Sequence, residues 1–256
     1  MKNNLPIYLL TNRNHHWLVP GFIHLFRTFW NNKQPVTIAS YGDKDAILER
    51  WMPDNWAYHK IANQNYPANQ WSNGLKQLLT KMKNEFFVLF LEDYWLNAAV
   101  NVPLVHDLFE YCSGLEERDS LLRMDLTADR VSQRRRPRHW SRIGENQSTE
   151  IVLSVHGTKY QMSFQCGIWQ RNNLLSVLRI GESPWDAELR GTDRLNYETQ
   201  FRHLIVLGTN SHPVKYRPVY RTGRNTMNIS SIGKKQQAFM GNHGMFAHAP
   251  KMDWIR

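Results

Sequence analysis

The segment from Phe86 to Leu96, FFVLFLEDYWL, is the part of the sequence that most restricts the fold of this chain. Its first six residues form an unbroken apolar run, and Glu92 and Asp93 follow directly. A run of this length without polar alternation is typical of a strand buried on both faces, as in a parallel sheet covered by helices. Open α/β sheets bind ligands at the carboxyl ends of their strands. The segment therefore predicts an α/β fold with two carboxylates at a binding edge.

The two acids suit one kind of ligand in particular. Carboxylate oxygens favour a hard divalent cation, Mn²⁺ or Mg²⁺, which in turn can hold a diphosphate. We predict that Asp93 is a metal ligand and that Glu92 assists it in binding the diphosphate. The alternative is that both are solvated acids at the end of a core strand.

Strand and helix patterns alternate through the first third of the chain. Apolar runs predict strands at Ile7–Thr11, Val36–Ser40 and Trp56–Ile61, and helical spacing of apolar residues predicts helices at Leu18–Trp30 and Leu75–Met82. Short connections between alternating strands and helices indicate right-handed crossovers. We therefore predict a doubly wound, mostly parallel sheet flanked by helices.

The periodicity becomes weaker after Asp93. Helices are predicted at Pro103–Tyr111 and Asn172–Leu178, and a further helix is expected to begin near Pro184. Strands are predicted at Ser120–Leu126 and Thr158–Trp169. Residues 128–149 are polar, rich in arginine and without a period, so they predict an exposed loop.

The composition indicates a globular protein of a reducing compartment. The chain has 256 residues, of which 41% are hydrophobic and 21% charged, which is ordinary for a globular domain. Its two cysteines, Cys112 and Cys166, lack the spacing of a metal site or a redox motif. The amino-terminal residues do not follow the pattern of a secretory signal, and no apolar run approaches the length of a membrane span. We expect a cytoplasmic protein.

The positive charge is concentrated in two blocks. The net charge is +10; residues 130–142 contain six arginines and no acid, and residues 212–256 contain eight Lys or Arg and one acid. Such an imbalance predicts an anionic partner, either nucleic acid, a phosphorylated substrate or an anionic membrane surface. The alternative is a basic surface without a dedicated partner.

Basic and aromatic residues in these blocks are candidates for binding an anion or nucleic acid. Arginine contacts phosphates, and tryptophan stacks on bases. The candidates are Arg134, Arg135, Arg136, Arg138, Trp140, Lys234 and Lys235. The sequence has no signature of a helix-turn-helix, a zinc finger or an RNA-recognition motif, so a dedicated sequence reader is not expected.

Four segments together resemble a group of small bacterial and viral glycosyltransferases with the GT-A fold. They are WSNGL (Trp71–Leu75), the segment FFVLFLEDYWL, YQMSFQCGIWQRNNLLSVL (Tyr160–Leu178) and GESPWDAELRG (Gly181–Gly191). The resemblance spans roughly residues 5–220. It implies a nucleotide-sugar donor bound against the first four strands, with Glu92-Asp93 in place of a metal-binding Asp-x-Asp motif. The second Asp of that motif is missing here, so the resemblance leaves open whether a metal or basic residues hold the diphosphate.

The resemblance implies transfer of a sugar from the nucleotide-sugar to a hydroxyl acceptor. The acceptor would be a saccharide, a lipid-linked glycan or a hydroxymethylated base in DNA, as in phages that glycosylate their genomes; a viral enzyme would act in the host cytoplasm. The basic blocks make DNA a candidate partner. A non-catalytic nucleic-acid-binding protein on the same fold is the alternative. We expect a GT-A-like domain at residues 1–220 and an irregular basic extension at 221–256, packed on it or mobile.

An inverting transferase also needs a general base for the acceptor hydroxyl. Glu188 and Asp186 are the candidates that the resemblance favours. On a helix these two acids point in different directions, so they should not share one role. The alternative is that both stabilise a helix amino terminus through its dipole.

Polar residues after the first predicted strand are candidates for contacts with the nucleotide. Thr11, Asn12 and Arg13 end this strand, and Arg13 is either a phosphate or ribose ligand or an exposed loop residue. Gln165 is a candidate contact to the sugar. His15 and His16 are adjacent, a poor spacing for one metal, and we expect them to be polar loop residues.

Overall fold

A computed structural model describes residues 5–128, 140–146, 149–221 and 224–255. No helix within these ranges is both long and apolar enough to cross a bilayer. The helices are α1 (Val19–Phe29), α2 (Ala46–Trp51), α3 (Trp71–Lys81), α4 (Val102–Gly114), α5 (Arg171–Val177), α6 (Pro184–Tyr197) and α7 (Lys234–Asn242). The strands are β1 (Ile7–Leu10), β2 (Thr37–Ser40), β3 (Ala57–Lys60), β4 (Phe86–Leu91), β5 (Tyr94–Leu96), β6 (Leu121–Asp125), β7 (Trp140–Asn146), β8 (Thr149–Ser154), β9 (Gly167–Gln170), β10 (Ile205–Thr209), β11 (Tyr216–Pro218), β12 (Tyr220–Arg221), β13 (Thr226–Asn228) and β14 (Asp253–Ile255).

The largest sheet has nine strands in the order β3-β2-β1-β4-β9-β6-β10-β8-β7. The strands β3, β2, β1 and β4 pair in parallel with one another, and β6 pairs in parallel with β10. Between these two groups, β9 runs antiparallel to both β4 and β6. The predicted fold class is therefore confirmed: the protein is α/β, with a mostly parallel central sheet flanked by helices.

The strand β4 explains why the apolar run at its sequence is unbroken. Phe86, Val88 and Phe90 belong to a core on one face of the sheet, which includes α1 and α4. Phe87 and Leu89 belong to a second core on the other face, which includes α3, α5 and α6. Because successive side chains of a strand point to opposite faces, a strand between two cores must be apolar at every position.

One predicted strand is shorter than its sequence pattern indicates. The sequence predicts a strand at Thr158–Trp169, but only the end of this range enters the sheet, as part of β9. Gly157 and Tyr160 have positive φ angles of 86° and 57°, so the chain turns away from the sheet there. Met162 and Phe164, which lie between this turn and β9, are nevertheless buried in the second core. Their alternation with polar residues therefore resembles that of a strand.

The predicted loop at residues 128–149 contains a strand that was missed. Trp140–Asn146 forms β7, the edge strand that pairs with β8. Most of its residues are exposed, and charged residues are common on edge strands because they prevent pairing with other chains. Such a strand has no apolar period. Residues 129–139, with Arg134, Arg135, Arg136 and Arg138, lie outside the described residues.

The carboxyl-terminal segment is more regular than its sequence pattern indicates. Strands β12, β13 and β14 form a small sheet, and α7 follows β13. Single apolar residues between polar ones, including Met227, Ile232 and Met240, are buried in the first core. Their irregular spacing produces no periodic face, which is why the sequence alone predicts an irregular extension. The segment from 224 to 255 is packed onto the main sheet domain.

Candidate active site

A cavity of about 670 Å³ lies at the carboxyl ends of β1 and β4. Thr11 and Asn12 follow β1, Glu92 and Asp93 follow β4, and all four line the cavity. These two strands are parallel neighbours in the sheet, so their carboxyl ends meet at one edge. The sheet therefore brings the predicted binding residues of both strands together.

The paired acids differ in their surroundings. Burial and the neighbouring charge of Glu92 raise the pKa of Asp93 to about 8. Glu92 itself lies against a histidine, since its Oε1 is 2.6 Å from Nδ1 of His15. Burial alone would lower the pKa of His15, but the hydrogen bond and charge of Glu92, with the charge of Asp93, raise it overall. Glu92 and His15 thus form a close hydrogen-bonded pair beside Asp93, a carboxyl that gives up its proton reluctantly.

The neighbouring histidine has a structural role instead. His16 is fully buried, with Nδ1 2.7 Å from Asp45 Oδ2 and Nε2 2.7 Å from Ser40 Oγ. Burial lowers its pKa, and a neutral ring that donates from Nδ1 and accepts at Nε2 satisfies both partners. Both histidines lie on the 3₁₀ turn Arg13–Leu18 after β1. The sequence did not predict these different environments for the two histidines. The available signal for a site residue was that His15 closely follows β1, a strand that ends at the binding edge.

The two candidate bases on α6 occupy different environments. Glu188 lines the cavity, and its Oε1 accepts a hydrogen bond from the backbone N–H of Phe164 at 2.6 Å. Asp186 Oδ2 instead accepts from the Ser183 hydroxyl at 2.7 Å in a capping box at the start of α6. This hydrogen bond and a second one from the Ser183 backbone N–H lower the pKa of Asp186. It is not among the described residues that line the cavity, and its position fits the helix-terminus alternative.

Hydrogen bonds between α3 and the loop before α6 hold the start of α6 against α3. Ser72 N donates to Glu182 O at 3.0 Å, and Glu182 N donates to Ser72 Oγ at 2.9 Å. Gly181 N donates to Asn73 Oδ1 at 2.9 Å. The segments WSNGL and GESPW, far apart in sequence, are therefore two halves of one contact. Ser72 lies inside the first turn of α3, whose N-cap position is Gln70.

Aromatic side chains form much of the remaining cavity surface. Tyr41 and Tyr66 pack edge to face with ring centroids 5.9 Å apart, and Trp71 and Phe164 do so at 4.8 Å. The glycine of WSNGL makes this packing possible, because a Cβ at Gly74 would collide with the Tyr41 hydroxyl. The cavity therefore has rigid apolar surfaces beside its charged groups.

Two arginines from the carboxyl-terminal basic block, Arg221 and Arg224, also line the cavity. The sequence indicated the charge of this block without distinguishing these residues. Their proximity to the sheet edge depends on β12, whose Tyr220 packs edge to face against Trp17 with centroids 5.2 Å apart. Cations and carboxylates thus share one cavity.

Other predicted site residues lie elsewhere in the described chain. The backbone N–H of Arg13 donates to Asn65 Oδ1 at 3.4 Å, and Gln165 accepts a hydrogen bond from Thr127 at 3.4 Å. Neither Arg13 nor Gln165 is among the described residues that line the cavity. The same holds for Trp140, which is the first residue of β7, and for Lys234 and Lys235, which are exposed at the start of α7.

The carboxylates at the end of β4 suit a divalent cation whose remaining ligands come from the substrate. In the described ranges, no group of three or more His, Cys, Asp or Glu forms a protein-only cage for a metal. Magnesium sites in phosphate-handling enzymes instead use one or two carboxylates together with oxygens of the substrate. Asp93, with Glu92 beside it, matches that pattern, and a bound cation would favour the ionised form of Asp93.

No protein-family model matches this sequence, and no curated protein matches it either. Many solved structures are similar in fold, and the following three are among them. A CMP:2-keto-3-deoxy-manno-octonic acid synthetase complexed with CTP is 8% identical, with a TM-score of 0.41 over 80% of this chain and 89% of that one. A cytidylyltransferase from Leptospira borgpetersenii is 10% identical, with a TM-score of 0.46 over 97% and 98%. S. aureus TarS 1-349 is 15% identical, with a TM-score of 0.45 over 83% of this chain and 59% of that one. Similarities this distant establish neither a family nor an activity for this chain.

Proposed function

We propose that this protein is a glycosyltransferase that moves a sugar from a nucleotide-sugar donor to a hydroxyl acceptor. The observation that carries the proposal is the cavity itself, which combines Asp93, Glu188, Arg221 and Arg224 at the edge of the sheet. Glycosyl transfer requires charge stabilisation for the leaving diphosphate, a base for the acceptor hydroxyl and a pocket that orients both substrates. This one cavity contains a group suited to each task.

The arginines act on the leaving group. Arg221 and Arg224 donate charge-assisted hydrogen bonds to the diphosphate and so stabilise the negative charge that develops as the glycosidic bond breaks. Asp93 would hold a divalent cation beside the diphosphate, and when bound that cation would supply further charge stabilisation. The polar residues after β1, Thr11 and Asn12, and the ring of Tyr66 contact the nucleoside.

The carboxylate of Glu188 acts on the acceptor. It takes the proton of the acceptor hydroxyl as that oxygen bonds to the anomeric carbon, and the diphosphate leaves with the electron pair of the broken bond. The hydrogen bond from Phe164 N–H fixes the orientation of this carboxylate. A positioned base contributes roughly 10²–10⁴-fold to the rate of such a reaction.

For the acceptor, the described residues favour a saccharide over DNA. The basic candidates for DNA contacts that the structure describes, Lys234 and Lys235, lie on α7 and do not line the cavity. A hydroxymethylated DNA base remains a prediction, and radioactive donor offered with modified DNA, unmodified DNA and free oligosaccharides tests it directly. Label on modified DNA alone would establish DNA as the acceptor.

The donor site is tested by thermal-shift measurements with UDP-, GDP-, dTDP- and CMP-sugars, with and without Mn²⁺. A ligand that binds only the native state raises its stability, by about 2.7 kcal/mol at 100 times Kd. We expect one nucleotide class to raise Tm in the wild type, and Asp93→Asn to remove any additional effect of Mn²⁺ and to abolish turnover. An Arg221→Ala, Arg224→Ala double variant should weaken donor binding. Lack of stabilisation by every donor, or wild-type turnover in Asp93→Asn, would contradict this assignment.

A further inference from the structure

The side chain of Trp185 is unusual among the aromatic residues of the cavity because most of it is in solvent. Its exposed fraction is 62%, and it still lines the cavity. Trp71 and Phe164, by contrast, pack against each other, and Phe164 also stacks on the buried Trp169 at 5.6 Å. Within the described chain, Trp185 makes no such ring contact. Packing of the fold therefore does not account for a large indole at this position.

The position of Trp185 on α6 places it beside the proposed base. Residues three and four apart on a helix share one face, so Trp185, Glu188 and Leu189 are neighbours. Leu189 is also exposed, at 54%, and it is not among the described residues that line the cavity. The face thus consists of an accessible aromatic plane, a carboxylate one turn along and an aliphatic side chain beyond it.

The geometry points to a saccharide-binding subsite on this face, formed by Trp185 and Leu189, which holds the acceptor sugar with its hydroxyl toward Glu188. This inference rests on the proposed function. A pyranose has an apolar C–H face that stacks on an indole, while its hydroxyl groups stay available for hydrogen bonds. The sugar that stacks on Trp185 therefore presents an edge hydroxyl to the neighbouring carboxylate.

The local charge disfavours nucleic acid as the occupant. A stacking surface alone would also accept a base, but a strand brings phosphates with it. The carboxylate of Glu188 lies on this face, and the nearby Arg190 is only 3.6 Å from Asp186, which offsets its charge. A neutral polyhydroxylated ring meets no such repulsion. The charge on this face of α6 therefore favours a saccharide.

Binding is tested on the ¹⁵N-labelled protein through its tryptophan indole resonances. The Trp185 signal is identified as the one missing in Trp185→Phe. We expect it to shift during titration with a panel of methyl hexopyranosides and their disaccharides, and to stay in place with a short DNA oligonucleotide. A shift with DNA alone, or with neither ligand, overturns the inference.

The kinetic test uses the best saccharide of the panel as acceptor. Trp185→Ala should raise the KM for that saccharide at least tenfold and the KM for the donor less than twofold, and Trp185→Phe should recover part of the loss. Tyr197→Ala, which removes an aromatic side chain with 69% exposure from the far end of the same helix, is the matched control and should keep both constants. An unchanged acceptor KM in Trp185→Ala overturns the subsite. Failure of the wild type to bind any nucleotide-sugar would instead reject the proposed function.

Discussion

Individual side chains of this protein owe their roles to partners that are distant in sequence. Glu188 and Asp186 are two positions apart, yet one accepts a hydrogen bond from Phe164 at the cavity and the other caps its own helix. His15 and His16 are adjacent, yet one is hydrogen-bonded to Glu92 at the cavity and the other is enclosed in the core. Residue type alone cannot distinguish the members of either pair, because the surrounding side chains determine the chemistry of each.

The contrast between the two acids of α6 can be measured. We expect Glu188→Gln to reduce kcat by roughly 10²-fold or more with little change in donor affinity, the scale of a lost general base. Asp186→Asn should keep most of the turnover and lower Tm, because it weakens the capping box. Steady-state kinetics and thermal melts of both variants decide the question. The opposite pattern would make Asp186 the base.

The buried His16 makes stability depend on pH in a defined direction. Its pKa is lowered in the folded protein, so below the usual value of about 6.5 the unfolded chain binds a proton that the folded chain does not. Unfolding free energy should therefore fall as the pH drops below about 6.5, by at most ~1.4 kcal/mol per pH unit for one proton. Chemical denaturation between pH 5 and 7 gives the slope of the unfolding free energy against pH. This slope should be smaller in His16→Gln than in the wild type and unchanged in the exposed control His203→Gln. Equal slopes in all three proteins would rule out this role.

At the level of elements, the loop before α6 is bonded both to α3 and to α6 itself. The loop before it bonds to the start of α3 through Ser72 and Asn73. From within the helix, Arg194 makes a two-pronged ion pair with Glu182, at 2.7 and 3.0 Å, and both side chains are almost fully buried. These contacts fix the start of α6, and with it Glu188 and Trp185, against the sheet edge.

Removing the arginine of this ion pair should be costly. Arg194→Met leaves the Glu182 carboxylate buried without its partner, and such a change destabilises proteins by about 3–5 kcal/mol. We also expect a lower kcat at temperatures where the variant is folded, because the position of Glu188 depends on α6. Urea titrations give the free energy of unfolding. Arg190→Met, which removes an exposed arginine from the same helix, is the control and should change it little; equal effects in both variants would show that the buried pair has no special importance.

For the whole molecule, the main question is how the positive charge is used. Part of it, Arg221 and Arg224, lines the cavity, whereas Lys234 and Lys235 are exposed on α7. Arginines in the cavity are suited to bind a phosphorylated substrate. The exposed lysines of α7 either bind a polyanion or are only hydrated. The sign of the net charge is the same in both cases, so only the location of each cation separates them.

If the protein binds DNA through α7, its affinity should fall steeply with salt. Each phosphate contact contributes about −0.9 to the slope of log K against log salt concentration for duplex DNA. Lys234→Ala with Lys235→Ala should then reduce the magnitude of that slope by about 2 in fluorescence-anisotropy titrations. Lys33→Ala with Lys83→Ala, two exposed lysines elsewhere in the chain, is the control of equal charge. If the two double variants have identical slopes, α7 makes no particular contacts with DNA phosphates, and the binding is only nonspecific electrostatic attraction.

The sequence by itself determined the parallel part of the sheet, β1 to β4, and one edge of the candidate site. The apolar run of β4, the alternation of strands and helices before it, and Glu92 and Asp93 at its end are local patterns, and local patterns are sufficient where a strand lies between two cores. Edge strand β7 and the carboxyl-terminal strands β13 and β14 were not found, because a half-exposed element with few buried residues leaves no period in its sequence.

Only the tertiary structure decided which residues share the cavity. His15, the α6 residues Trp185 and Glu188, and the carboxyl-terminal Arg221 and Arg224 come from three separate parts of the chain, and no sequence spacing connects one part with another. Long-range pairing of β1 with β4, the contact of α3 with the start of α6, and the packing of β12 onto the domain bring them together. Such proximity results from burial of apolar surface that is remote from the site. The chemistry of the cavity is therefore encoded in the packing of the whole domain, and no single segment contains it.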